Sequence, residues 1–402
     1  MGNIPDQTVI CKCLSQLNIS DDSFPIFNYR RKLTFVKAVK LLIDAQLSRR
    51  TDLQDISFAL QANEKLQQAI SLESISGSQV TRTLRALPLW ELQRIWININ
   101  ERLQQRYPQQ GVPGIGKLHI LDSTVLTLPE SAGKWAYCSK QSNGIKIHTK
   151  LVVADLNTVY PDQIVCSTRG VSDLEVALDL VVDPDAIHVM DRGYIKYTNY
   201  KHWLDHNLQF VARIQTRNKT VIVEEREVEE GTPVQRDADV IITFKDNDNQ
   251  VVETRLRLVE YVDEKDRMYR VLTNVWDLAA SQICEVYRHR WMIELFFKWM
   301  KQHMQLVHLY SYHPDAVWNQ IFLTLIAYGL VMLVRKESET TEHLWVFLKL
   351  LRNYMDKTWE QFLIALNREP TKRSTGRKKK KKRGRPRKHP KEYETVMLIV
   401  PS

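Results

Sequence analysis

The sequence has few cysteines, and their positions predict neither a disulfide framework nor a zinc site. Only five cysteines occur among 402 residues, the count is odd, and no two of them form a Cys-x-x-Cys pair. Cys11 and Cys13 lie close together in sequence, but no further metal-ligating residues accompany them. Disulfide-rich secreted domains and zinc-binding modules are therefore disfavoured as classes.

A secretory leader and a membrane-spanning run are also missing. Residues 1–20 contain no basic start followed by an apolar segment, which argues against a signal peptide. The most apolar run, residues 321–334, covers about 14 positions, whereas roughly 20 are needed to cross a bilayer. We therefore predict a buried core helix there, no membrane partner, and a cytoplasmic, nucleoid-associated protein.

Positive charge is concentrated in one C-terminal segment. The formal net charge is +10, with 57 Lys and Arg against 47 Asp and Glu. Residues 372–391, which we call the basic tail, hold 13 of the basic residues and no acid, so the rest of the chain has 44 basic against 47 acidic residues. Affinity for a polyanion such as nucleic acid must therefore come from the tail and from local patches.

The first 110 residues have the hydrophobic spacing of helices. A polar break at residues 74–78 precedes a segment that resembles the second helix of a helix-turn-helix, with Arg82 and Arg85 on its exposed face. This segment either reads DNA or is an ordinary short helix after a turn. Pro and Gly residues between 108 and 116 then indicate a linker.

The middle of the chain predicts an α/β core. Strands are expected at residues 117–121, 144–154, 162–167 and 186–190, with a helix at 173–182 between the last two. This is the opening order of a ribonuclease-H-like domain. Residues from about 205 to 275 are β-rich, and we interpret them as an insertion into that domain. Helices are expected from the N-cap Asp277 to about 306, and at 314–336 and 342–367.

These patterns divide the chain into four parts. We predict a helical N-terminal DNA-binding domain (1–110), a ribonuclease-H-like catalytic core with its insertion (111–310), a helical C-terminal region (311–369) and the segment containing the basic tail (370–402). The predicted fold class is α/β.

Two aspartates end predicted strands, at the edge where such sheets present side chains to a site. Asp122 follows the first strand and Asp191 follows the fourth. Neighbouring carboxylates of this kind suit a hard divalent cation. Either aspartate alone is equally explained as a turn residue, so the interpretation depends on a third element.

That element is a predicted helix with charged residues at regular spacing. Tyr287, Arg290, Glu294 and Lys301 fall at i, i+3, i+7 and i+14, which places them on one face at about 100° per residue. An acid among a hydroxyl and two cations suits a site that holds metal and phosphate together. A solvent-exposed helix with an Arg290–Glu294 ion pair explains the charges equally well.

The same residues resemble a known family. The spacing Tyr-x2-Arg-x3-Glu-x6-Lys is that of bacterial insertion-sequence transposases of the DDE class, in the YREK-signature group (the insertion sequence four family). The segments around Asp122 and Asp191 are similar to those around the family's first two aspartates. The resemblance covers roughly residues 20–365.

The resemblance implies a reaction and its partners. Such enzymes cleave transposon ends with metal-activated water and join the 3′-OH ends to target DNA by transesterification. Asp122, Asp191 and Glu294 would be catalytic and would hold Mg²⁺ or Mn²⁺, two ions per active site. Tyr287, Arg290 and Lys301 would contact DNA phosphates, and Arg192 would lie beside them. The family works on double-stranded DNA, at terminal inverted repeats and target sites, as a homodimer.

Tyr269 departs from the family pattern, because relatives carry Trp at that place. Some relatives form a DNA hairpin and flip a base onto this aromatic ring. Here Tyr269 is either a plain strand residue or a smaller stacking platform for a base.

The basic tail contains Arg383, Gly384, Arg385, Pro386 and Arg387, which together resemble an AT-hook. A slim extended backbone with arginines suits the narrow minor groove of A·T-rich DNA. A non-specific polycation that binds any phosphate backbone is the alternative. At the level of function, a catalytically silent DNA-binding repressor and a nuclease of the same fold are the alternatives to a transposase.

Overall fold

The computed structural model describes residues 7–24, 32–139, 142–215, 220–246 and 249–368. Those up to Leu366 belong to one compact unit. The basic tail, with its predicted DNA-binding residues Arg383, Arg385 and Arg387, lies outside the described residues.

Thirteen α-helices occur within the described residues. They are α1 (Val9–Ser15), α2 (Phe35–Leu47), α3 (Leu53–Ala62), α4 (Glu64–Ile70), α5 (Gly77–Ala86), α6 (Leu89–Arg106), α7 (Asp173–Leu180), α8 (Tyr197–Asp205), α9 (Ala280–Arg288), α10 (Trp291–His303), α11 (Pro314–Glu337), α12 (Leu344–Asn353) and α13 (Trp359–Leu366).

The strands form a single mixed sheet. They are β1 (Lys117–Leu128), β2 (Tyr137–Ser139), β3 (Ser142–Asp155), β4 (Thr158–Thr168), β5 (Ala186–Met190), β6 (Gln209–Arg213), β7 (Val221–Glu225), β8 (Val234–Lys245), β9 (Val251–Val262) and β10 (Met268–Thr273). The order across the sheet is β2-β3-β1-β5-β6-β10-β9-β8-β7, and β4 pairs with β3. The pairs β1–β5 and β5–β6 are parallel, and the other pairs are antiparallel.

The β-rich segment extends this sheet. Strand β10 pairs with β6, and β9, β8 and β7 follow outward in turn. The β-rich segment is therefore continuous with the sheet that contains β1 and β5. Strand β5, at the centre, is buried along its whole length, as expected for a parallel strand covered on both faces.

Helix α11 forms the centre of the helical part, with α2, α5 and α6 packed around it. It runs for 24 residues, so it is longer than the apolar run predicted from sequence. By length and composition α11 could cross a membrane, but 94% of its most apolar window is buried inside the fold. The predicted core helix is therefore confirmed. Its polar residues have partners within the fold: the Asn319 side-chain amide donates to the carbonyls of Leu84 and Leu87, each at 2.8 Å.

Close packing of α11 on α6 depends on Gly329. A Cβ placed on Gly329 would lie 2.4 Å from Ile99 Cγ2 and 3.4 Å from the Trp96 ring. We expect Gly329→Val to destabilise the protein by about 1–3 kcal/mol through overpacking, seen as a lower midpoint of thermal unfolding. Gly170→Val is the matched control, because nothing lies within 4 Å of a Cβ there. Equal midpoints for the two variants would contradict this packing.

The helical segment predicted at 342–367 is divided into α12 and α13, with a break between them. The carbonyls of Met355 and Lys357 accept hydrogen bonds from the amides of Ile10 and Val9, at 3.0 and 2.9 Å, so α1 engages the break. A local cap also marks it: the Thr358 amide donates to Gln361 Oε1 and the Gln361 amide donates to Thr358 Oγ1, each at 3.2 Å.

Candidate active site

The two aspartates are brought together by the register of β1 and β5. The last paired residues of these parallel strands are Leu121 and Met190, so Asp122 and Asp191 follow at the same edge. The prediction that Asp122 ends its strand is wrong, because β1 continues to Leu128 through antiparallel pairing with β3. Asp191 does end β5, as predicted, and leads into a short 3₁₀ turn.

The third acid lies on α10, and the helix predicted to carry the whole signature is interrupted. Helix α9 ends at Arg288 and α10 begins at Trp291. At the junction the amides of Arg290, Met292 and Ile293 donate to carbonyls three residues back, at 3.1, 2.9 and 3.3 Å. This local tightening changes the helical register between Tyr287 and Glu294. The prediction that the four signature residues lie on one face of a single helix is therefore wrong.

The helix also starts later than predicted. Asp277 is not its N-cap, because α9 begins at Ala280 after the cap residue Ala279. The Ala279 amide donates to the Gln282 side chain at 2.9 Å, which satisfies this end of the helix. The Leu278 carbonyl accepts from Arg257 at 2.6 Å, so the segment before α9 is held by strand β9.

Arg290 and Tyr287 connect the three acids. The Arg290 guanidinium contacts Asp122, with Nη1 3.2 Å from Oδ2, and it also donates to Glu294. The Tyr287 hydroxyl donates to Asp191 at 3.4 Å. Tyr287, Arg290 and Glu294 therefore meet both aspartates, with Arg290 as the cationic side chain among them.

The electrostatics of the site reflect this crowding of carboxylates. Burial raises the pKa of Asp122 to about 6, and the charges of Asp191 and Glu294 add to that rise. The Ser123 amide, which donates to Asp122 at 2.8 Å, and the Arg290 guanidinium act in the opposite direction. Burial disfavours the charged form of Arg290, but the surrounding hydroxyl and acids raise its pKa above the usual value. The positive charge of Arg290 thus favours the ionised form of Asp122.

The other predicted DNA contacts occupy two regions. Near the acids, Lys301 Nζ donates to the Val125 carbonyl of β1 at 3.4 Å, Arg192 is exposed, and Tyr269 is half-buried. Arg82 and Arg85 lie elsewhere, on the exposed face of α5. Helix α5 itself is as predicted, with Val80, Thr83 and Leu84 buried against its neighbours.

A cavity of about 450 Å³ lies beside Arg290. Its walls contain aromatic rings, basic side chains and two acids, one of which, Asp263, is paired with Arg267: Tyr261, Tyr269, Tyr287, Trp291, Lys265, Arg267, Arg288, Arg290, Asp263 and Glu264. The Tyr269 ring stacks on Tyr261 with centroids 5.1 Å apart, and the Arg213 guanidinium lies over it at 4.6 Å. Flat rings and cations are the groups that hold unpaired nucleotides.

The sequence did not indicate a partly buried polar cluster beside the two aspartates. Asp173 contacts His148 at 3.0 Å and Lys146 at 3.6 Å, and Ser123 and Tyr194 lie in the same group. Asp173 begins α7 after the cap residue Ser172, so in the sequence it looks like an ordinary helix-start acid. No spacing rule links it to His148, because the packing of α7 on β3 brings these two residues together.

The acids fit a divalent metal by their chemistry. Asp122, Asp191 and Glu294 offer hard carboxylate oxygens at a partly exposed edge, and these are the ligands that Mg²⁺ and Mn²⁺ prefer. In the part of the chain that the structure describes, no three acidic, His or Cys side chains are yet close enough together to enclose an ion. Arg290 supplies the positive charge between Asp122 and Glu294 in this conformation.

Sites built from several carboxylates hold divalent metal ions in enzymes of several classes, including nucleases, polymerases and phosphatases. Residues 115–330, more than half of the chain, match the family model described as "Transposase DDE domain". The chain therefore belongs to the transposase DDE domain family. The matched segment contains Asp122, Asp191 and Glu294.

Named relatives agree with this assignment. The chain is 27% identical over 232 residues to "Putative transposase y4zB" of Sinorhizobium fredii, covering 57% of this chain and 64% of the relative. It is 27% identical over 215 residues to "Probable transposase for insertion sequence element IS5377" of Geobacillus stearothermophilus, covering 53% and 55%. The similarity to "Putative transposase for insertion sequence element IS4SA" of Synechocystis is 26% over 246 residues, covering 56% and 64%. The chain thus spans 55–64% of the length of these relatives.

Proposed function

We propose that this protein is a DNA transposase that cleaves transposon ends and joins their 3′-OH ends to target DNA. The observation that carries the proposal is the convergence of Asp122, Asp191 and Glu294 around Arg290 and Tyr287. Membership of the transposase DDE domain family supports it. We further propose a ribonuclease-H-like core, which is supported by the strand order β4-β3-β1-β5-β6 around the site.

The site residues divide the chemistry between them. Asp122, Asp191 and Glu294 would hold two Mg²⁺ or Mn²⁺ ions, which when bound supply Lewis-acid activation of water and of the scissile phosphodiester. Arg290 would then leave the carboxylates of Asp122 and Glu294 and bind a DNA phosphate, to which its planar guanidinium can donate two hydrogen bonds. Lys301 would add a point charge, and Tyr287 would orient Asp191 through its hydroxyl.

The spacing of Tyr287, Arg290, Glu294 and Lys301 supports placing the chain in the YREK-signature group. The partners in this proposal are terminal inverted repeats and target DNA, bound by a homodimer in the cytoplasm at the nucleoid. Arg192 would contact the same DNA end, and Arg82 and Arg85 on α5 would read DNA with the N-terminal helices. A hairpin step onto Tyr269 is not part of the proposal, because that ring already stacks on Tyr261.

A strand-transfer assay separates the candidate functions. The substrate is a DNA fragment bearing the inverted repeat that flanks the gene, with a labelled 3′-OH end. A transposase with Mg²⁺ releases that end and joins it to a second duplex. A nuclease of the same fold gives cleavage without joined product, and a silent repressor-like relative binds the repeat with neither product. Either of the last two outcomes would refute the proposal.

The basic tail gives a second test. If Arg383, Arg385 and Arg387 enter the minor groove, the full-length protein should bind A·T-rich duplexes about tenfold more tightly than G·C-rich ones at equal salt. Replacing all three arginines by lysine keeps the charge but replaces the weakly hydrated guanidinium, so the preference should fall while overall affinity persists. Fluorescence anisotropy measures both affinities. Equal affinities of the unaltered protein for the two duplexes would exclude minor-groove recognition and would indicate that the tail binds any phosphate backbone non-specifically.

A further inference from the structure

The polar cluster around Asp173 lies beside residues that neighbour Asp122 and Asp191 in the chain, namely Ser123 and Gly193. Asp173 Oδ1 is 3.0 Å from His148 Nδ1, and its Oδ2 is 3.6 Å from Lys146 Nζ. His148 is paired across the sheet with Ser123, the residue after Asp122. Helix α7, which Asp173 begins, therefore contacts the strand pair that carries the first catalytic acid.

The same carboxylate packs against the turn that carries the second acid. A Cβ on Gly193 would lie 3.2 Å from Asp173 Oδ2, so the turn after Asp191 approaches the Asp173 carboxylate closely, and a larger residue there would require that carboxylate to shift by a few tenths of an ångström. Tyr194 is buried in this turn, and its amide donates to the Asp191 carbonyl at 3.1 Å. Burial raises the pKa of the Tyr194 phenol, and the charges of Asp173 and Asp122 raise it further. Asp173 thus touches both catalytic segments.

The cluster is built to support other residues and not to react. His148 Nε2 lies 3.0 Å from the Ser167 hydroxyl, so Ser167, His148 and Asp173 follow one another like a nucleophile, a base and an orienting acid. His148, however, has no exposed surface, so a substrate cannot reach its ring. Burial opposes ionisation of Asp173, yet the His148, Ser123 and Lys146 side chains hold its pKa below the usual value. A charged carboxylate paired on several sides can fix the segments that contact it, even though the Asp173 side chain is only partly buried.

We propose that Asp173 is a positioning residue that fixes the Asp122 strand and the Asp191 turn relative to each other. This role rests on the proposed function, in which both aspartates hold the metal ions. Residues that orient metal ligands from behind typically change metal affinity by about 10–100-fold when they are replaced. Asp173 would act in this way through Ser123 and Gly193, without touching the DNA.

Hydrogen exchange of the full-length, metal-free protein tests the positioning directly. In Asp173→Ala the amides of Tyr194 and Ile195 should exchange about tenfold faster or more, because the turn after Asp191 loses the carboxylate against which it packs. Asp173→Asn keeps the shape of the side chain and removes its charge, so the increase in exchange rate should be smaller. This variant provides the test if Asp173→Ala does not fold. Exchange within α11 should stay the same. The control is Asp179→Ala, an exposed acid on the same helix.

Mn²⁺ binding, followed by electron paramagnetic resonance, tests the consequence for the metal site. Asp173→Asn should weaken binding about 10–100-fold, whereas Asp179→Ala should bind like the unaltered protein. Unchanged exchange at Tyr194 and Ile195 in both Asp173 variants would overturn the positioning role. If the unaltered protein binds no Mn²⁺, the metal centre of the proposed function is refuted. Faster exchange at Tyr194 and Ile195 in the Asp173 variants would still support the positioning role in that case.

Discussion

Replacing any one of Asp122, Asp191 and Glu294 by its amide is expected to lower the rate of DNA-end cleavage by about 1,000-fold or more. Each amide keeps the shape of the side chain but removes the charge that a divalent cation requires. Metal ions contribute several kcal/mol to such reactions, and each 1.36 kcal/mol corresponds to about a factor of ten in rate. The measurement is single-turnover cleavage of a labelled transposon end at saturating Mg²⁺.

DNA affinity supplies the contrast. Each substitution removes a negative charge near the phosphates, so the dissociation constant for the transposon end should stay the same or fall slightly. Glu285→Gln is the matched control, since Glu285 is an exposed acid on α9 outside the cluster, and it should cleave normally. Undiminished cleavage by Asp122→Asn, Asp191→Asn or Glu294→Gln would remove that residue from the site.

Arg257→Met should destabilise the folded protein by about 3–5 kcal/mol, the largest stability effect that we expect from a polar residue. Arg257 and Asp237 are both buried and are joined by two hydrogen bonds of 2.8 Å. The remaining Arg257 nitrogen donates to the carbonyls of Val275 and Leu278, at 3.3 and 2.6 Å. Loss of the guanidinium would leave a buried charge and two buried carbonyls without partners.

This ion pair matters to the site because of where it lies. It joins β8 and β9 to the segment that precedes α9, and α9 carries Tyr287. Chemical denaturation followed by tryptophan fluorescence measures the loss. The double variant Arg257→Met/Asp237→Leu should recover most of it, because an apolar pair leaves no unpaired charge. Arg255→Met is the control: its side chain is 57% exposed, and Asp239 keeps Arg226 at 2.7 Å. A double variant no more stable than Arg257→Met would contradict this explanation.

Much of the core followed from local patterns, whereas the three acids were singled out by the resemblance to the DDE transposases. The strand at Ala186–Met190 was predicted at its observed bounds, because a fully buried strand is apolar throughout and ends at a polar residue. The three acids could be identified because their residue types and spacing match the family signature. That match did not require the geometry of their strands and helix to be predicted correctly. The concentration of charge in the basic tail was equally plain from composition.

Other features of the site depend on contacts between distant segments. Asp122 lies within β1 and not at its end, because β3 continues to pair with β1 after β5 has stopped. The break between α9 and α10 rotates Glu294 relative to Tyr287, and α9 begins where Arg257 reaches the Leu278 carbonyl. The spacing of apolar residues in the sequence does not predict these features, because each depends on a contact with a distant segment.

Asp173 shows this division most clearly. Its place at the start of α7 was readable from local residues, since a cap followed by acids is a helix-start pattern. Its contacts come from two distant parts of the chain: His148 and Lys146 lie on β3, and Gly193 lies in the turn after β5. Local sequence encodes secondary structure through propensity and periodicity, whereas strand register and the packing of a helix on a sheet set which distant side chains meet. The acids were therefore visible in the sequence, but the cluster beside them was visible only in the folded chain.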